Sequence, residues 1–332
     1  MSETRRLSPS EAILSGRTAD VYFLHARRIL EAEGINPRVT MEVFSSHDGV
    51  LCGTEEVKQI LEAVLPSRSE VWAIPEGESM EEREVALRIS ALYRSFGVHE
   101  TSILGILASE SGWATAARAC VDAAAGTPVI HFGSRHIHPD VSTRLEYAAT
   151  VGGCTGCATP AGAALTGITP SGTIPHALIL CIGDTVEAIE AFDRHIDPGI
   201  KRIALVDTFK DEAEESLRVA RALGKRLWGV RLDTPTERGR VTPELVCEVR
   251  ARLDQAGFDY VRVVVSGGID PARIALFKTR SAPVDAFGVG SAISSAPPID
   301  FTADIKEIDG RPVAKRGRIP GITPNPHLQR VL

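Results

Sequence analysis

The feature that most constrains this chain is a regular alternation of short apolar runs and amphipathic segments between residues 201 and 291. The apolar runs predict strands buried on both faces, at residues 202–206, 227–232, 260–265 and 284–289. The intervening segments predict helices at residues 212–223, 243–256 and 271–279. Strand and helix alternating over short connections predict βα units around a parallel sheet.

Polar residues gather where each predicted strand ends. Asp207 follows the first strand, Arg231 and Asp233 close the second, and glycine-rich turns follow the third and fourth. In a (β/α) barrel this face carries the active site, and the last turns commonly hold a phosphate. The pattern predicts an α/β fold with a barrel, although an open doubly wound sheet would place its ligand at the same strand ends.

The N-terminal third and the C-terminal tail have a different pattern, which predicts an α+β domain. Residues 39–44 alternate like a strand, residues 47–50 indicate a turn and a return strand, and residues 54–65 predict a helix. Residues 85–91 alternate like a half-buried strand, although the glutamates before them also permit a helix. The tail has a hairpin signal at Asp309-Gly310, and we expect this hairpin to pair with the N-terminal domain. The predicted divisions are 1–108 for the N-terminal domain, 109–293 for the barrel and 294–332 for the returning tail.

Composition and charge narrow the classes of function. Of 332 residues, 43% are hydrophobic and 24% charged, which is ordinary for a globular protein. A net charge of -6 argues against a general binder of nucleic acid or anionic membranes, while permitting a local basic pocket. No apolar run reaches the roughly 18 residues of a membrane span, and the N-terminus lacks the apolar run of a secretory signal. The six cysteines have no disulfide spacing, so we expect a reduced, cytoplasmic protein.

Two glycine turns, Ser266-Gly267-Gly268 and Gly288-Val289-Gly290-Ser291, offer a phosphate site. Glycine lets backbone N–H groups approach an anion closely, and a following helix N-terminus adds a favourable dipole. Either turn alone is explained as a tight βα connection. Two in successive units favour a phosphate site.

Asp207, Asp233 and Arg231 form a second candidate group. Carboxylates at neighbouring strand ends suit a magnesium ion or the hydroxyls of a ribose, whereas Asp207 also suits a helix N-cap. Arg231 lies two residues before Asp233 and therefore on the same side of the strand. An arginine at that position needs an anionic partner, either Asp233 itself or a ligand phosphate.

The segment from His131 to His138 is a third candidate. Phe132 offers a face for a flat ring, and Arg135 offers a planar fork for a carboxylate or a phosphate. His136 and His138 share a face in an extended chain, but without a third ligand a metal site is not favoured.

One further histidine and a cysteine pair are candidates for a reactive role. His176 suits a nucleophile or a general base, and on its own it is better explained as a structural histidine near a helix start. Cys154 and Cys157 have the CxxC spacing of redox or metal sites, but no second pair is suitably spaced. Two buried thiols in a small-residue turn are therefore the favoured interpretation.

At these residues the chain resembles the nicotinate phosphoribosyltransferase family, within the type II phosphoribosyltransferases. The resemblance covers nearly the whole chain, and the length is similar to that of the shorter, archaeal-like branch. Each motif is short, but their joint order is specific; they are Thr18-Ala19-Asp20-Val21-Tyr22-Phe23, Phe132-Gly133-Ser134-Arg135, Gly172-Thr173-Ile174-Pro175-His176-Ala177, Leu205-Val206-Asp207-Thr208, Gly229-Val230-Arg231-Leu232-Asp233, Ser266-Gly267-Gly268-Ile269, Phe287-Gly288-Val289-Gly290-Ser291 and Lys315-Arg316-Gly317.

The resemblance implies an irregular, incomplete (β/α) barrel, an N-terminal α+β sandwich completed by the tail, and a head-to-tail homodimer with shared active sites. Assembly beyond the dimer is left open. Phe132 would stack on a pyridine ring, with Tyr22 of the partner subunit on the other face, and Arg135 would hold the carboxylate of nicotinate. The remaining substrate-binding residues that it implies are Thr155, Arg231, Asp233, Ser266, Gly267, Gly268, Gly288, Gly290 and Ser291.

The implied activity is formation of nicotinate mononucleotide and pyrophosphate from nicotinate and phosphoribosyl pyrophosphate. His176, Asp207 and Asp233 would be the catalytic residues. Magnesium would be held by Asp207 and Asp233, and ATP hydrolysis would be coupled through a phosphohistidine at His176. The tail has no cysteine after Cys247, so we expect no zinc.

The loop around Cys154 to Ala158 bears on the substrate. In relatives that use nicotinamide, an aspartate in the aligned loop accepts a hydrogen bond from the amide. Here Thr155 and Gly156 stand there, and no acid occurs between residues 151 and 164, which favours a carboxylate substrate. Three alternatives stay open: quinolinate phosphoribosyltransferase, a non-catalytic relative that binds pyridine nucleotides, and a barrel enzyme for another sugar phosphate.

Overall fold

The computed structural model describes residues 7–168 and 173–332, and the chain divides into two compact units. The N-terminal unit contains the residues up to Ala116, the short stretch Tyr147–Gly152 and the tail Ala296–Leu332. The parallel-sheet unit contains Ala117–Glu146 and Gly153–Ser295.

Helices and strands occur in both units. The helices are α1 Glu11–Leu14, α2 Val21–Ala32, α3 Thr54–Val64, α4 Tyr93–Phe96, α5 Glu100–Ala124, α6 Pro139–Val151, α7 Pro160–Thr166, α8 His176–Ile182, α9 Thr185–His195, α10 Glu212–Leu223, α11 Pro243–Gln255, α12 Pro271–Thr279 and α13 Ser291–Ser294. The strands are β1 Arg38–Ser45, β2 Gly49–Val50, β3 Glu70–Ala73, β4 Ser79–Met80, β5 Val85–Leu92, β6 Val129–His131, β7 Arg202–Leu205, β8 Leu227–Leu232, β9 Arg262–Val265, β10 Ala286–Val289, β11 Phe301–Ile308, β12 Arg311–Pro312 and β13 Gln329–Arg330. None of the helices in the described ranges is long and apolar enough to cross a membrane.

The N-terminal unit is built on a six-stranded sheet in the order β12-β11-β1-β5-β3-β13. The expected return of the tail is confirmed, because β11 pairs antiparallel with β1 and β13 pairs antiparallel with β3. Asp309 and Gly310 have positive φ and join β11 to β12, which is the turn geometry that an Asp-Gly hairpin requires. Residues 85–91, for which strand and helix both remained open, lie in strand β5.

The core of this unit forms between its sheet and helix α3. Met41, Leu87 and Ile89 of the sheet are almost wholly buried, as are Val57 and Leu61 of the helix. Apolar residues alternate along the strands and recur every three or four residues along the helix. Each element therefore has one apolar face, and these two faces pack against each other.

The return strand expected within residues 47–50 does not pair as a hairpin with its predecessor β1. Strand β2 instead pairs antiparallel with β4, forming a separate two-stranded sheet. The local turn was visible in the sequence, but the partner came from farther along the chain, so the hairpin interpretation was wrong.

An acidic cluster in this unit is explained by helix capping. Ligand-type atoms of Cys52, Glu76 and Glu110 lie within 4.8 Å of one another. The carboxylate of Glu76 accepts hydrogen bonds from the amides of Gly53 and Glu55, at the start of α3, at 2.8 and 2.9 Å. It therefore satisfies helix N–H groups that would otherwise lack partners, and it places negative charge at the positive end of the helix.

The parallel-sheet unit has five strands in the order β6-β10-β9-β8-β7, and every pairing is parallel. Helices α10, α11 and α12 connect successive strands from β7 to β10, which confirms the predicted α/β alternation. The described strands pair as an open sheet with edges at β6 and β7. Closure into a barrel therefore stays a prediction.

The strand order decides which loops become neighbours. Parallel strands end at the same edge of a sheet, so the segments that follow β6, β10, β9, β8 and β7 lie side by side. These segments begin at Phe132, Gly290, Ser266, Asp233 and Val206, and they contain most of the predicted site residues.

Candidate active site

A cleft of about 830 Å³ lies at the carboxyl ends of the parallel strands. It brings together residues from five separate segments of the sequence, which no single motif could show. Its lining comprises Phe132, Ser134, Arg135, His136, Ile137, Pro139, Ser142, Ala158, Thr159, Arg231, Asp233, Ser266, Gly267, Gly268, Gly288, Gly290 and Ser291. Of the predicted substrate-binding residues, all but Tyr22 and Thr155 lie in this set.

Neighbouring side chains lie so close to the backbone of the two glycine turns that they leave little room for a Cβ atom. A Cβ atom on Gly267, which has φ of +85°, would lie 3.1 Å from Asp233 Oδ1. A Cβ atom on Gly288 would lie 2.3 Å from Cε2 of Phe132 and 3.1 Å from Cβ of Ser266. Glycine at 288 thus leaves the space that the phenylalanine ring occupies, and both turns keep their backbone open towards the cleft.

Arg231 is the centre of the polar network. Its Nε donates to Ser266 Oγ at 2.8 Å, its Nη1 to Thr173 Oγ1 at 3.0 Å, and its Nη2 to Asp233 Oδ2 at 3.0 Å. The hydroxyl of Ser266 in turn donates to Asp233 Oδ1 at 2.8 Å. Asp233 is therefore a partner of Arg231, as one of the two sequence interpretations proposed, and both oxygens of its carboxylate are engaged.

Phe132 and Arg135 line the cleft from the segment that follows strand β6. The guanidinium of Arg231 stands 5.0 Å from the centre of the Phe132 ring, within the range of a cation–π contact. Arg135 is exposed, and its Nε donates to Nε2 of His136 at 3.4 Å. The cleft therefore has an aromatic face with one guanidinium next to it and a second guanidinium at its rim.

His176 and Asp207 form a pair beside this network. Nε2 of His176 lies 3.1 Å from Oδ2 of Asp207, whose side chain is only 1% exposed. Burial raises the pKa of the Asp207 carboxyl, the nearby His176 opposes this rise, and the charge of Asp233 adds to it. Oδ1 of Asp207 is buried without a hydrogen-bond partner among the described residues. His176 also begins helix α8, so both the functional and the structural explanation of this histidine fit its position.

Several predicted residues lie outside the cleft. Thr155 is exposed, and its amide donates to the carbonyl of Val129 at 2.8 Å, while Ala158 and Thr159 of the same loop line the cleft instead. Tyr22 lies in α2 of the N-terminal unit, where its hydroxyl donates to Asp20 at 3.2 Å, and its role across a dimer stays a prediction. Gly172, the first residue of the motif that contains His176, lies outside the described residues.

The cysteine pair is as predicted. Cys154 and Cys157 are both buried and not bridged. Burial raises the pKa of the Cys154 thiol to about 12, so this group is not the reactive thiolate of a redox site.

Sequence reasoning missed four polar residues around the cleft. Thr173 binds Arg231, and Ser134 binds Glu146, which also receives the hydroxyl and amide of Thr159. Glu146 lies in helix α6 with no exposed surface. A glutamate in a helix gives no signal by itself, but charged residues are rarely buried without partners, so only its burial reveals a role.

Comparison with known proteins places this chain in a family. Two family models match the chain: quinolinate phosphoribosyl transferase, N-terminal domain, over residues 20–111, and its C-terminal domain over residues 113–304. The solved structure of a nicotinate-nucleotide pyrophosphorylase from Pyrococcus furiosus is 43% identical with a TM-score of 0.88, over 96% of this chain and 82% of that one.

Other relatives are more distant. Nicotinate phosphoribosyltransferase pncB2 of Mycobacterium tuberculosis is 31% identical over 247 residues, which are 73% of this chain and 52% of that protein. This chain therefore spans about half the length of that curated relative. The structure of human nicotinic acid phosphoribosyltransferase, at 18% identity and a TM-score of 0.71 over 92% of this chain and 77% of that one, shows likeness of fold alone.

The fold is that of the type II phosphoribosyltransferases. The match over both domains means that this chain belongs to the quinolinate phosphoribosyltransferase family.

Proposed function

We propose that this chain transfers the phosphoribosyl group of phosphoribosyl pyrophosphate to nicotinate, forming nicotinate mononucleotide and pyrophosphate for NAD salvage. The observation that carries the proposal is the meeting, in one cleft, of the Phe132 ring, the Arg231 guanidinium 5.0 Å from it and two glycine turns. Aromatic faces bind flat rings, guanidinium groups bind carboxylates, and glycine turns bind phosphates.

The arrangement suits the chemistry of pentosyl transfer. The pyridine nitrogen attacks C1 of the ribose while pyrophosphate leaves, so the protein gains most by orienting the ring and by neutralising the departing charge. Phe132 orients the ring in this proposal, and the turns that contain Gly267 and Gly288 hold the phosphoribosyl group. Arg231 lies between these two regions and is held in place by Ser266 and Asp233.

Magnesium would complete the charge balance. Asp207 fits such an ion, because its Oδ1 is buried and has no hydrogen-bond partner among the described residues. Asp233 fits less well, since both of its oxygens are engaged by Ser266 and Arg231. When bound, magnesium would neutralise charge on the pyrophosphate, with water and phosphate oxygens as its further ligands.

We propose ATP coupling through His176. In this proposal Nε2 of His176 donates to the buried carboxylate of Asp207, 3.1 Å away, which leaves the lone pair of a neutral imidazole on Nδ1. Nδ1 is then the nitrogen that would take the γ-phosphoryl group of ATP. The relatives named nicotinate phosphoribosyltransferase support the assignment of the pathway, and the ATP step itself rests on the resemblance and this geometry.

Replacing His176 with alanine is expected to abolish ATP hydrolysis while some ATP-independent transfer persists, because the phosphohistidine would no longer form. Release of inorganic phosphate and formation of mononucleotide, measured in the same reaction, would show the separation. His195→Ala is the matched control, since His195 is exposed at the end of α9, and both rates should stay at the wild-type level. Equal loss of hydrolysis and transfer in the His176 variant would contradict a phosphohistidine role.

Replacing Gly288 with alanine is expected to raise the KM for nicotinate about 5- to 150-fold, because stacking of a base on an aromatic ring is worth about 1–3 kcal/mol. The new Cβ would lie 2.3 Å from Phe132, so the ring would have to leave its position. Steady-state kinetics with varied nicotinate is the measurement. Gly105→Ala in helix α5 is the control, because a Cβ there meets no atom within 4 Å. An unchanged KM would show that Phe132 is not the stacking face.

Quinolinate is the second candidate substrate, because both matching family models carry its name. Quinolinate has two carboxylates, whereas the guanidinium groups among the residues that line the cleft are those of Arg135 and Arg231. Arg231 already binds Asp233, which leaves less positive charge for a second carboxylate. This charge balance favours nicotinate.

A turnover assay with phosphoribosyl pyrophosphate, magnesium and each of nicotinate, nicotinamide and quinolinate, with and without ATP, tests the proposal. Product from nicotinate, formed faster with ATP, is the expected result. Product with carbon dioxide release from quinolinate alone would overturn it in favour of the second candidate. Tight binding of nicotinate mononucleotide without any turnover would identify a non-catalytic relative.

A homodimer is part of this proposal. Tyr22 is 59% exposed and the neighbouring Val21 is 61% exposed. The start of helix α2 is therefore open to a second copy of the chain. In the proposed dimer, Tyr22 would cover the ring bound at Phe132 of the other subunit. Sedimentation at several concentrations tests for the dimer, and a monomer at all of them would contradict it.

A further inference from the structure

Helix α6 carries a buried carboxylate, that of Glu146, which the proposed chemistry does not use. Oε1 of Glu146 accepts hydrogen bonds from the hydroxyl of Ser134 at 2.8 Å and from the amides of Ala158 and Thr159 at 2.7 and 3.0 Å. Oε2 accepts from the hydroxyl of Thr159 at 2.5 Å. The side chain is fully buried, so these donors replace the water that a carboxylate needs.

The donors belong to two segments that are separate in the sequence and that both line the cleft. Ser134 begins the short 3-10 turn Ser134–His136, which also carries Arg135. Ala158 and Thr159 end the loop that follows Cys154 and lead into helix α7. One carboxylate thus ties the turn that carries Arg135 to the loop on the same side of the cleft.

The start of helix α7 is adapted to this contact. A Cβ atom on Gly162 would lie 1.8 Å from Oε2 of Glu146, so any larger residue would push the helix away from the carboxylate. Thr159 caps α7 by accepting from the amide of Gly162 at 3.0 Å, while its own hydroxyl donates to Glu146. The cap of α7 and the tie to Glu146 therefore share one threonine.

Helix capping alone does not explain this arrangement. Thr159 already supplies the side-chain cap of α7, and the bond from Ser134 lies outside that helix. Buried charged groups cost free energy unless they are fully paired, so an apolar residue would serve packing alone equally well or better. The carboxylate is better explained by its hydrogen bonds to two loops, which hold these loops at a fixed distance.

We propose that Glu146 is a positioning residue that sets the width of the ring-binding side of the cleft, by fixing the Arg135 turn against the loop at Ala158 and Thr159. The inference rests on the proposed function for its substrate, a pyridine carboxylate. It assigns to Glu146 no contact with substrate.

Three variants test this role in the full chain. Glu146→Ala should raise the KM for the pyridine substrate about 10- to 100-fold, since losing a supporting residue or shifting a site by about 1 Å has effects of this size. The KM for phosphoribosyl pyrophosphate should change less than about 3-fold, because the described hydrogen bonds of Glu146 go to Ser134, Ala158 and Thr159 and so support the ring side of the cleft. Glu146→Gln should stay within about 3-fold of wild type, because its amide oxygen still accepts from the backbone amides.

Glu215→Ala is the matched control. Glu215 is a second fully buried carboxylate in the same unit, on helix α10, and it accepts a hydrogen bond from Arg218 at 2.7 Å. Both KM values should be unchanged in this variant.

Equal increases in both KM values for Glu146→Ala, or no rescue by glutamine, would overturn the positioning role in favour of a general loss of structure. Ser134→Ala removes only one of the hydrogen bonds to Glu146, so it keeps the test informative even where the Glu146→Ala protein does not fold. It should show a smaller increase in the KM of the pyridine substrate, and an unchanged KM would also count against the proposal.

Amide hydrogen exchange gives a readout that does not depend on turnover. In Glu146→Ala, the amides of Ala158 and Thr159 should exchange faster than in wild type, while those of strands β8 and β9 keep their rates. Unchanged exchange at these two amides would overturn the tie. Absence of turnover by the wild-type protein on every pyridine tested would overturn the proposed function while leaving this result valid.

Discussion

Replacing Arg231 with alanine is expected to lower kcat/KM about 100- to 1000-fold, the effect typical of losing one donor to charge that develops in a transition state. Its guanidinium binds Ser266, Thr173 and Asp233 through three different nitrogens, and it stands 5.0 Å from the ring of Phe132. Alanine would leave the Asp233 carboxylate, which is 20% exposed, without its cation. The lining of the cleft would then lose its excess of positive over negative charge, where the proposed anionic substrate binds. Initial rates with both substrates varied give the measurement.

Two companion variants separate charge from geometry at Arg231. Arg231→Lys keeps the charge but lacks the planar fork that serves three partners, so it should recover only a small part of the lost activity. Arg135→Ala should mainly raise the KM for nicotinate, because Arg135 lies at the rim and its described side-chain bond is to His136. An unchanged KM would remove Arg135 from the substrate site. Wild-type activity in Arg231→Ala would contradict the central role given to this network.

Replacing Phe287 with alanine is expected to lower the free energy of unfolding by about 3–5 kcal/mol, the usual cost of deleting a buried phenylalanine ring. Phe287 is fully buried in strand β10, and its ring packs edge-on against Phe277 with centroids 5.8 Å apart. Strand β10 lies between β6 and β9, so the cavity would open within the parallel-sheet unit next to helix α12. Urea unfolding followed by circular dichroism gives the change.

Phe209→Ala is the control for stability, because its side chain is 49% exposed in the same unit. Surface substitutions usually change stability by about 0.5 kcal/mol or less. Phe287→Leu should lose less than the alanine variant, since leucine fills part of the cavity. A midpoint for Phe287→Ala equal to that of wild type would mean that this ring does not belong to the cooperative core.

The helices and strands of the parallel-sheet unit were predictable, because apolar residues are spaced differently in each kind of element and recognisable residues mark where an element ends. Helices α10 and α12 and strand β8 have the predicted bounds, 212–223, 271–279 and 227–232. Strands β9 and β10 begin two residues later than predicted, at Arg262 and Ala286. Apolar residues before a strand resemble those inside it, and hydrogen bonding to neighbours decides where pairing starts.

Pairing in the N-terminal unit was predictable only in part. The Asp309-Gly310 turn was recognisable, because few residue pairs adopt the positive φ values that it needs. The partner of β2 was not, because residues 47–50 carry a turn signal and nothing that specifies β4 across the 28 residues between Val50 and Ser79. Residues 85–91 stayed ambiguous until burial on the sheet selected a strand.

The sequence by itself determined the alternation of strand and helix, the return of the tail to the first sheet, and the types of group at each strand end. These depend on short-range periodicity and on residues with restricted conformations, which act within a few positions of the chain. Only the tertiary structure decided that Gly288 makes room for Phe132, that Thr155 turns away from the cleft while Thr159 lines it, and that Glu146 ties two loops together. Such contacts depend on the order of strands in the sheet and on which side chains lose water when helices pack, and no single segment of the sequence contains that information.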